Sequence, residues 1–248
     1  MHETLPVLLM TRPRAASERF VAELDRAGGR FRPVVSPLFE IVQTGAALPL
    51  DGVKGLIFSS VHGVAAWKAR GLKLQMPCYT VGQATAQAAQ AAGLRPAIVQ
   101  PTAASLVTEL LGAGIEGPLL HLHGTHTRGD IARRLTFDGL YTQAVAVYDQ
   151  PQLALNETAR AALVGDVPVV APVFSPRTAS LLAQERAKAP LLVAAMSEAV
   201  ALALPPLHIV FLKVADRPDS GAMVTAVLET LDRAQAQIKG SGASPDEG

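Results

Sequence analysis

The chain has one cysteine, Cys78, among its 248 residues, so neither an internal disulfide framework nor a multi-cysteine metal cluster is available to it. Cys78 lies in the apolar stretch Met76-Pro77-Cys78-Tyr79-Thr80-Val81 and reads as a buried, inert thiol. Charge is also scarce. Charged residues make up 17% and the net charge is +1, so no global field draws in nucleic acid or anionic lipid, and any acidic ligand must be attracted locally. No apolar run reaches the roughly 18 residues of a membrane span. The N-terminal stretch from His2 to Pro6, leading into a short strand and then Arg12 and Arg14, lacks the order of a signal peptide. A cytoplasmic protein is expected, with no membrane and no nucleic acid among its partners. No Gly-x-Gly-x-x-Gly follows a strand, and Gly-x-Ser-x-Gly and Walker patterns are missing, which argues against dinucleotide, hydrolase and P-loop chemistry.

What is present is apolar content, 49% of residues, arranged as alternating strands and helices. Strands are expected at 7–10, 32–35, 55–58, 78–81, 97–100, 119–123, 167–174, 191–195 and 208–214. Helices are expected over 15–27, from near His62, Gln83, Ala103 and Thr127, after the capping Asn156, and over 177–189, 197–204 and 219–238. This is the βαβ rhythm of a parallel sheet. Two extended, proline-marked stretches interrupt it, Ser36 to Val42 and Thr142 to Pro151. Paired as a bridge, they make the middle of the chain, 38–150, one α/β domain inserted into another built from 1–37 and 151–239. The residues 240–248 are Gly, Ser, Pro and acid and read as a disordered tail.

Several strands end in a small residue that opens a helix: Phe174-Ser175-Pro176-Arg177, Phe58-Ser59-Ser60, Thr11-Arg12-Pro13, Val81-Gly82-Gln83, Gly124-Thr125 and Met196-Ser197-Glu198. Each such turn presents unbonded N–H groups at the positive end of a helix dipole, where anions are favoured. Several together suit a polyanion. Ser59 to Gly82 spans 23 positions and Ser175 to Ser197 spans 22, so duplication is the preferred account of the two halves.

The ordered set of motifs resembles the uroporphyrinogen-III synthase family. It comprises Leu9-Met10-Thr11-Arg12-Pro13, Pro37-Leu38-Phe39-Glu40-Ile41, Leu56-Ile57-Phe58-Ser59-Ser60, Thr80-Val81-Gly82-Gln83-Ala84-Thr85, His123-Gly124 with Arg128-Gly129-Asp130, Val147-Tyr148, Phe174-Ser175-Pro176-Arg177-Thr178-Ala179, Met196-Ser197-Glu198 and Ala215-Asp216-Arg217-Pro218. The resemblance implies two similar parallel-sheet α/β domains joined by a two-stranded bridge, with the active-site cleft between them. It implies a monomeric lyase that cyclises hydroxymethylbilane to uroporphyrinogen III with inversion of the last pyrrole ring, using no metal or organic cofactor. Tyr148 matches the family's tyrosine and is the candidate general acid, the alternative being a tyrosine that packs on the bridge. Thr11, Arg12, Ser59, Ser60, Gly82, Thr85, Gly124, Ser175, Pro176, Arg177 and Ser197 form the candidate substrate-binding set, each serine having a plain helix cap as its alternative. Arg128 is a further candidate for a propionate arm.

Where many members of the family carry Gly-Pro-Thr-Thr-Ala, this chain has Ser197-Glu198-Ala199-Val200-Ala201, and Glu198 would repel an acid arm. His121-Leu122-His123 with His126 and Asp130 imitates a metal site but lacks a ligand spaced to close it. Two other readings stay open. A non-catalytic ligand-binding or regulatory module would keep the same two-domain clamp, and a nucleotide-sugar transferase would share an open cleft but has no matching motif.

Overall fold

The computed structural model describes residues 3–74, 76–126, 129–204 and 207–241. These cluster into two compact units, one within Met1–Glu40 and Gln152–Gly248 and the other within Ile41–Pro151.

The first unit is a five-stranded, all-parallel sheet. In chain order its strands are β1 (Val7–Met10) and β2 (Arg32–Val35), then β9 (Val169–Val173), β10 (Leu191–Ala195) and β11 (Ile209–Val214); across the sheet the order is β2-β1-β9-β10-β11. β1, β9 and β10 are buried along their whole length, as continuous apolar runs in a parallel sheet require. Alternate side chains Leu8, Met10, Val170, Leu192 and Ala194 join Phe20 and Leu24 of α1 (Arg14–Arg26) and Met223, Val227 and Leu231 of α9 (Ser220–Ser241) in one core. Right-handed crossovers put α6 (Glu157–Val164), α7 (Pro176–Leu182) and α8 (Glu198–Ala201) on the other face.

The second unit has six strands: β3 (Val42–Gln43), β4 (Gly55–Phe58), β5 (Pro77–Val81), β6 (Arg95–Gln100), β7 (Leu119–Gly124) and β8 (Thr142–Asp149), arranged β3-β8-β7-β4-β5-β6. One face packs Leu56, Phe58, Leu120 and Leu122 with Val64 and Trp67 of α2 (Val61–Ala69) and Ala89 of α3 (Gln83–Ala91). The other packs Ile57, Tyr79 and Leu119 with Leu106 and Leu110 of α4 (Ala103–Gly112) and Ile131 and Leu135 of α5 (Ile131–Phe137). Cys78 is buried in the first of these cores, and burial pushes its thiol up to about 11, so it is inert.

The two extended stretches do pair, Val42 with Asp149 and Gln43 with Tyr148, antiparallel. Within the first unit Phe39 and Gln152 form a further antiparallel bridge, and Leu153 N–H donates to the Leu38 carbonyl at 2.8 Å. β8 is not a free-standing bridge strand, however. It runs parallel to β7 from Thr142 to Tyr148 and so completes the parallel series of its own sheet.

Four helices differ by more than a residue from those read in the sequence. The start read near Thr127 lies outside the described residues, and α5 begins only at Ile131, after Gly129 and Asp130. α7 stops at Leu182 rather than 189 because the Lys188 and Ala189 N–H groups donate to the Leu163 carbonyl at 2.8 and 3.0 Å, which pulls the segment off the helix axis. α8 has a single turn, 198–201. α9 runs on to Ser241, into the first residues of the expected tail; 242–248 lie outside the described residues.

Candidate active site

In an open parallel sheet, a crevice opens at the carboxyl ends of two neighbouring strands whose following connections leave in opposite directions. The strand orders place one such reversal in each unit, between β1 and β9 and between β4 and β7. Most of the candidate residues fall on those four strand ends.

At the end of β1, Thr11 is fully buried and its Oγ1 has no hydrogen-bond partner among the described residues. Arg12 follows. Its guanidinium carbon lies over the Phe174 ring, 3.9 Å from the centroid, and Phe174 stands edge-on to Phe20 at 4.9 Å. Ser17 Oγ donates to the Arg12 carbonyl at 2.9 Å, which fixes the backbone. Burial, with Arg19 adding to it and Glu23 opposing, lowers the affinity of Arg12 for its proton, yet a guanidinium remains cationic at neutral pH. A half-buried, stacked guanidinium beside the first N–H groups of the 13-residue α1 fits a carboxylate.

Across the reversal, Ser175 caps α7: its Oγ accepts from Thr178 N–H at 3.2 Å and lies 2.9 Å from Thr178 Oγ1. Pro176 occupies the first helical turn, and Arg177 sits over Phe39 at 5.6 Å. Ser197 lies one strand further out, on β10, and makes no side-chain cap bond to α8; Glu198 opens that single turn.

In the second unit Ser59 ends β4, and its Oγ meets His121 Nε2 of β7 at 3.0 Å. His121 is 2% exposed, and burial, with His123 beside it adding to the effect, lowers its pKa to about 3. It is therefore a neutral imidazole. Ser60, the next residue, caps α2 by accepting from His62 N–H at 3.2 Å. Gly124 closes β7 against the Tyr148 ring; a Cβ there would lie 2.5 Å from the ring's Cε2. Tyr148 is 6% exposed and meets the His62 ring edge-on at 5.5 Å.

Gly82 and Thr85 stand one strand away from this reversal. Gly82 holds φ +82°, which allows its N–H to donate to the Gln100 carbonyl at 2.8 Å as α3 begins. Thr85 is buried on the inner side of that helix. Arg128 lies outside the described residues. Asp130, read in the sequence beside the histidines, is ion-paired with Arg133, and no group of three metal-ligating side chains forms among the described residues.

Sequence reasoning missed the Ser59–His121 contact. His121 and His123 were seen to share a strand face, but their partner across the sheet depends on β4 lying beside β7. The sheet orders agree with the match of Ser59 and Ser175 read in the sequence: taken from β9, the strands β9, β10, β11, β1 and β2 lie in the same parallel order as β4, β5, β6, β7 and β8. By place in the sheet, Ser59 corresponds to Ser175, Gly82 to Ser197, and Gly124 and Thr125 to Thr11 and Arg12.

The family model described as uroporphyrinogen-III synthase HemD matches residues 18–225. The chain belongs to the uroporphyrinogen-III synthase family. Solved structures of uroporphyrinogen-III synthases share its fold. The enzyme from Helicobacter pylori superimposes with a TM-score of 0.66 at 16% identity, covering 91% of this chain and 99% of its own. A mutant of the Thermus thermophilus synthase gives 0.53 at 16% identity, covering 92% and 99%. No curated protein sequence matches the chain significantly. As a member of the synthase family the protein is a mixed α/β chain built on two parallel sheets, and no helix among the described residues is long and apolar enough to cross a membrane.

Proposed function

We propose that the protein is a uroporphyrinogen-III synthase, working as a cytoplasmic monomer without nucleic acid or membrane, that converts hydroxymethylbilane to uroporphyrinogen III and water. The family match over residues 18–225 carries this reading. The substrate bears acetate and propionate arms, and Arg12, Ser59, Ser60, Ser175 and Arg177 are the side chains suited to take such arms, with Thr11, Gly82, Thr85, Gly124, Pro176 and Ser197 shaping the turns around them.

In this scheme Tyr148 donates its phenolic proton to the terminal hydroxyl as that group leaves, and the pyrrole nitrogen supplies the electrons, giving water and an azafulvene. The substituted carbon of the last ring attacks the azafulvene to form a spiro intermediate. That intermediate fragments and recloses with the ring inverted, and the ring hydrogen lost as a proton on closure restores the tyrosine. The substrate thus provides most of the reactivity, and the protein chiefly holds its ends.

Incubation with freshly made hydroxymethylbilane, followed by oxidation and separation of the isomers, is expected to give uroporphyrin III above the spontaneous background. Isomer I alone would reject the synthase and leave a non-catalytic binding module. Because the leaving group departs slowly even unaided, Tyr148→Phe is expected to lower kcat by about tenfold, the weak end of general-acid effects. A wild-type kcat in that variant would assign Tyr148 to packing alone.

A further inference from the structure

Two adjacent serines end β4, and they do different things. Ser60 is the helix cap, accepting from His62 N–H at 3.2 Å. Ser59 is therefore not consumed by the helix. Its half-buried Oγ instead touches Nε2 of His121, a side chain 2% exposed on the neighbouring strand β7, at 3.0 Å. The contact sits at the strand-order reversal, where the carboxyl ends of β4 and β7 diverge.

A serine hydroxyl has one hydrogen and two lone pairs, and a neutral imidazole has one N–H and one bare nitrogen. If Ser59 donates to Nε2, it turns only lone pairs outward, and these repel a carboxylate. If Nε2–H donates to Ser59, the hydroxyl hydrogen is left for an anion. We propose that His121 is a positioning residue that, as the Nε2–H tautomer, donates to Ser59 Oγ and so aims the Ser59 hydroxyl hydrogen at an acid arm of the linear tetrapyrrole. This rests on the synthase reading given above.

Two observations fit the assignment. Burial keeps the ring uncharged, with its pKa lowered to about 3, so it can orient the serine without itself acting as a counter-ion. The neighbouring His123, with ring centroids 5.0 Å apart, is tied elsewhere, its Nδ1–H donating to the Gly124 carbonyl at 2.7 Å.

The test combines steady-state kinetics with imidazole 15N NMR of the whole protein. Ser59→Ala and His121→Leu are each expected to raise KM for hydroxymethylbilane about fivefold with kcat within about twofold, the loss of one oriented hydrogen bond. The double variant should match the singles, and His121→Gln, whose side-chain amide can still donate, should return KM close to wild type. In the wild type, the His121 Nε2 resonance should be that of a protonated nitrogen. An unchanged KM in folded His121→Leu, multiplying effects in the double variant, or a bare Nε2 each overturns the proposal; the tautomer decides the matter even if His121→Leu fails to fold. Failure of the wild type to form isomer III instead overturns the synthase reading and the arm-binding role with it, a result distinct from an active enzyme indifferent to His121.

Discussion

Between pH 6.5 and pH 4 the unfolding free energy of the protein will fall by about 1.4 kcal/mol per pH unit more steeply than that of His121→Gln. The cause is burial. His121 is held neutral in the folded state, with its pKa lowered to about 3 from an ordinary 6.5 by burial first and by His123 second. Below pH 6.5 the unfolded chain takes up a proton that the folded chain refuses, so stability declines as pH falls through this window and levels off near pH 3. Exposed carboxyls act in the same direction. Glu116 beside Lys54, and Asp219 bound by the Ala222 N–H and by Arg217, are both held below their usual range, but they are common to both proteins and cancel in the comparison. Denaturant titrations at several pH values give the two slopes. Parallel profiles would mean that the ring is not buried neutral.

Gly124→Ala is expected to cost more activity than Tyr148→Phe, about a hundredfold in kcat, with a stability loss of about 1–3 kcal/mol. An added Cβ would lie 2.5, 2.6 and 2.9 Å from Cε2, Cζ and the hydroxyl oxygen of Tyr148. Backbone cannot easily yield here. Gly124 is paired with Tyr148 in the β7–β8 ladder, and Thr125 N–H donates to the Tyr148 carbonyl at 3.0 Å. The ring must therefore move, carrying the hydroxyl off its position. Removing the hydroxyl alone leaves the ring where it is, which is why the smaller change sits on the tyrosine. Isomer III formation measured alongside the thermal midpoint separates the two effects. A variant that loses stability but keeps its turnover within threefold would make Tyr148 a filler.

The strands β1, β4 and β10 have the bounds read from the sequence, because each is a short, fully buried apolar run between turn residues; β2, the half-exposed edge strand, also has the bounds read from it. Helix lengths were less legible. The alanine-rich stretch after Ser175 has helical propensity beyond Leu182, and only the tertiary bonds from Lys188 and Ala189 to Leu163 end it early. The strand-end turns were visible as local chemistry, and so were the residues on them. Which turns stand together was not visible, since adjacency depends on strand order. Ser59 and His121 are far apart in the chain and touch only because β7 returns beside β4. The environment of Tyr148 likewise follows from Gly124, whose missing side chain makes room for the ring.

The pairing of Val42 with Asp149, and of Phe39 with Gln152, has a consequence for how such a chain is assembled and engineered. Each unit's entry and exit strands lie side by side, so the second unit is, to the first, no more than an elaborated hairpin loop. Closing that loop costs little more entropy than closing a short one, since the cost grows only with the logarithm of length. The second unit is thus a cassette, with ends placed for excision, replacement by a short turn, or transfer to another scaffold.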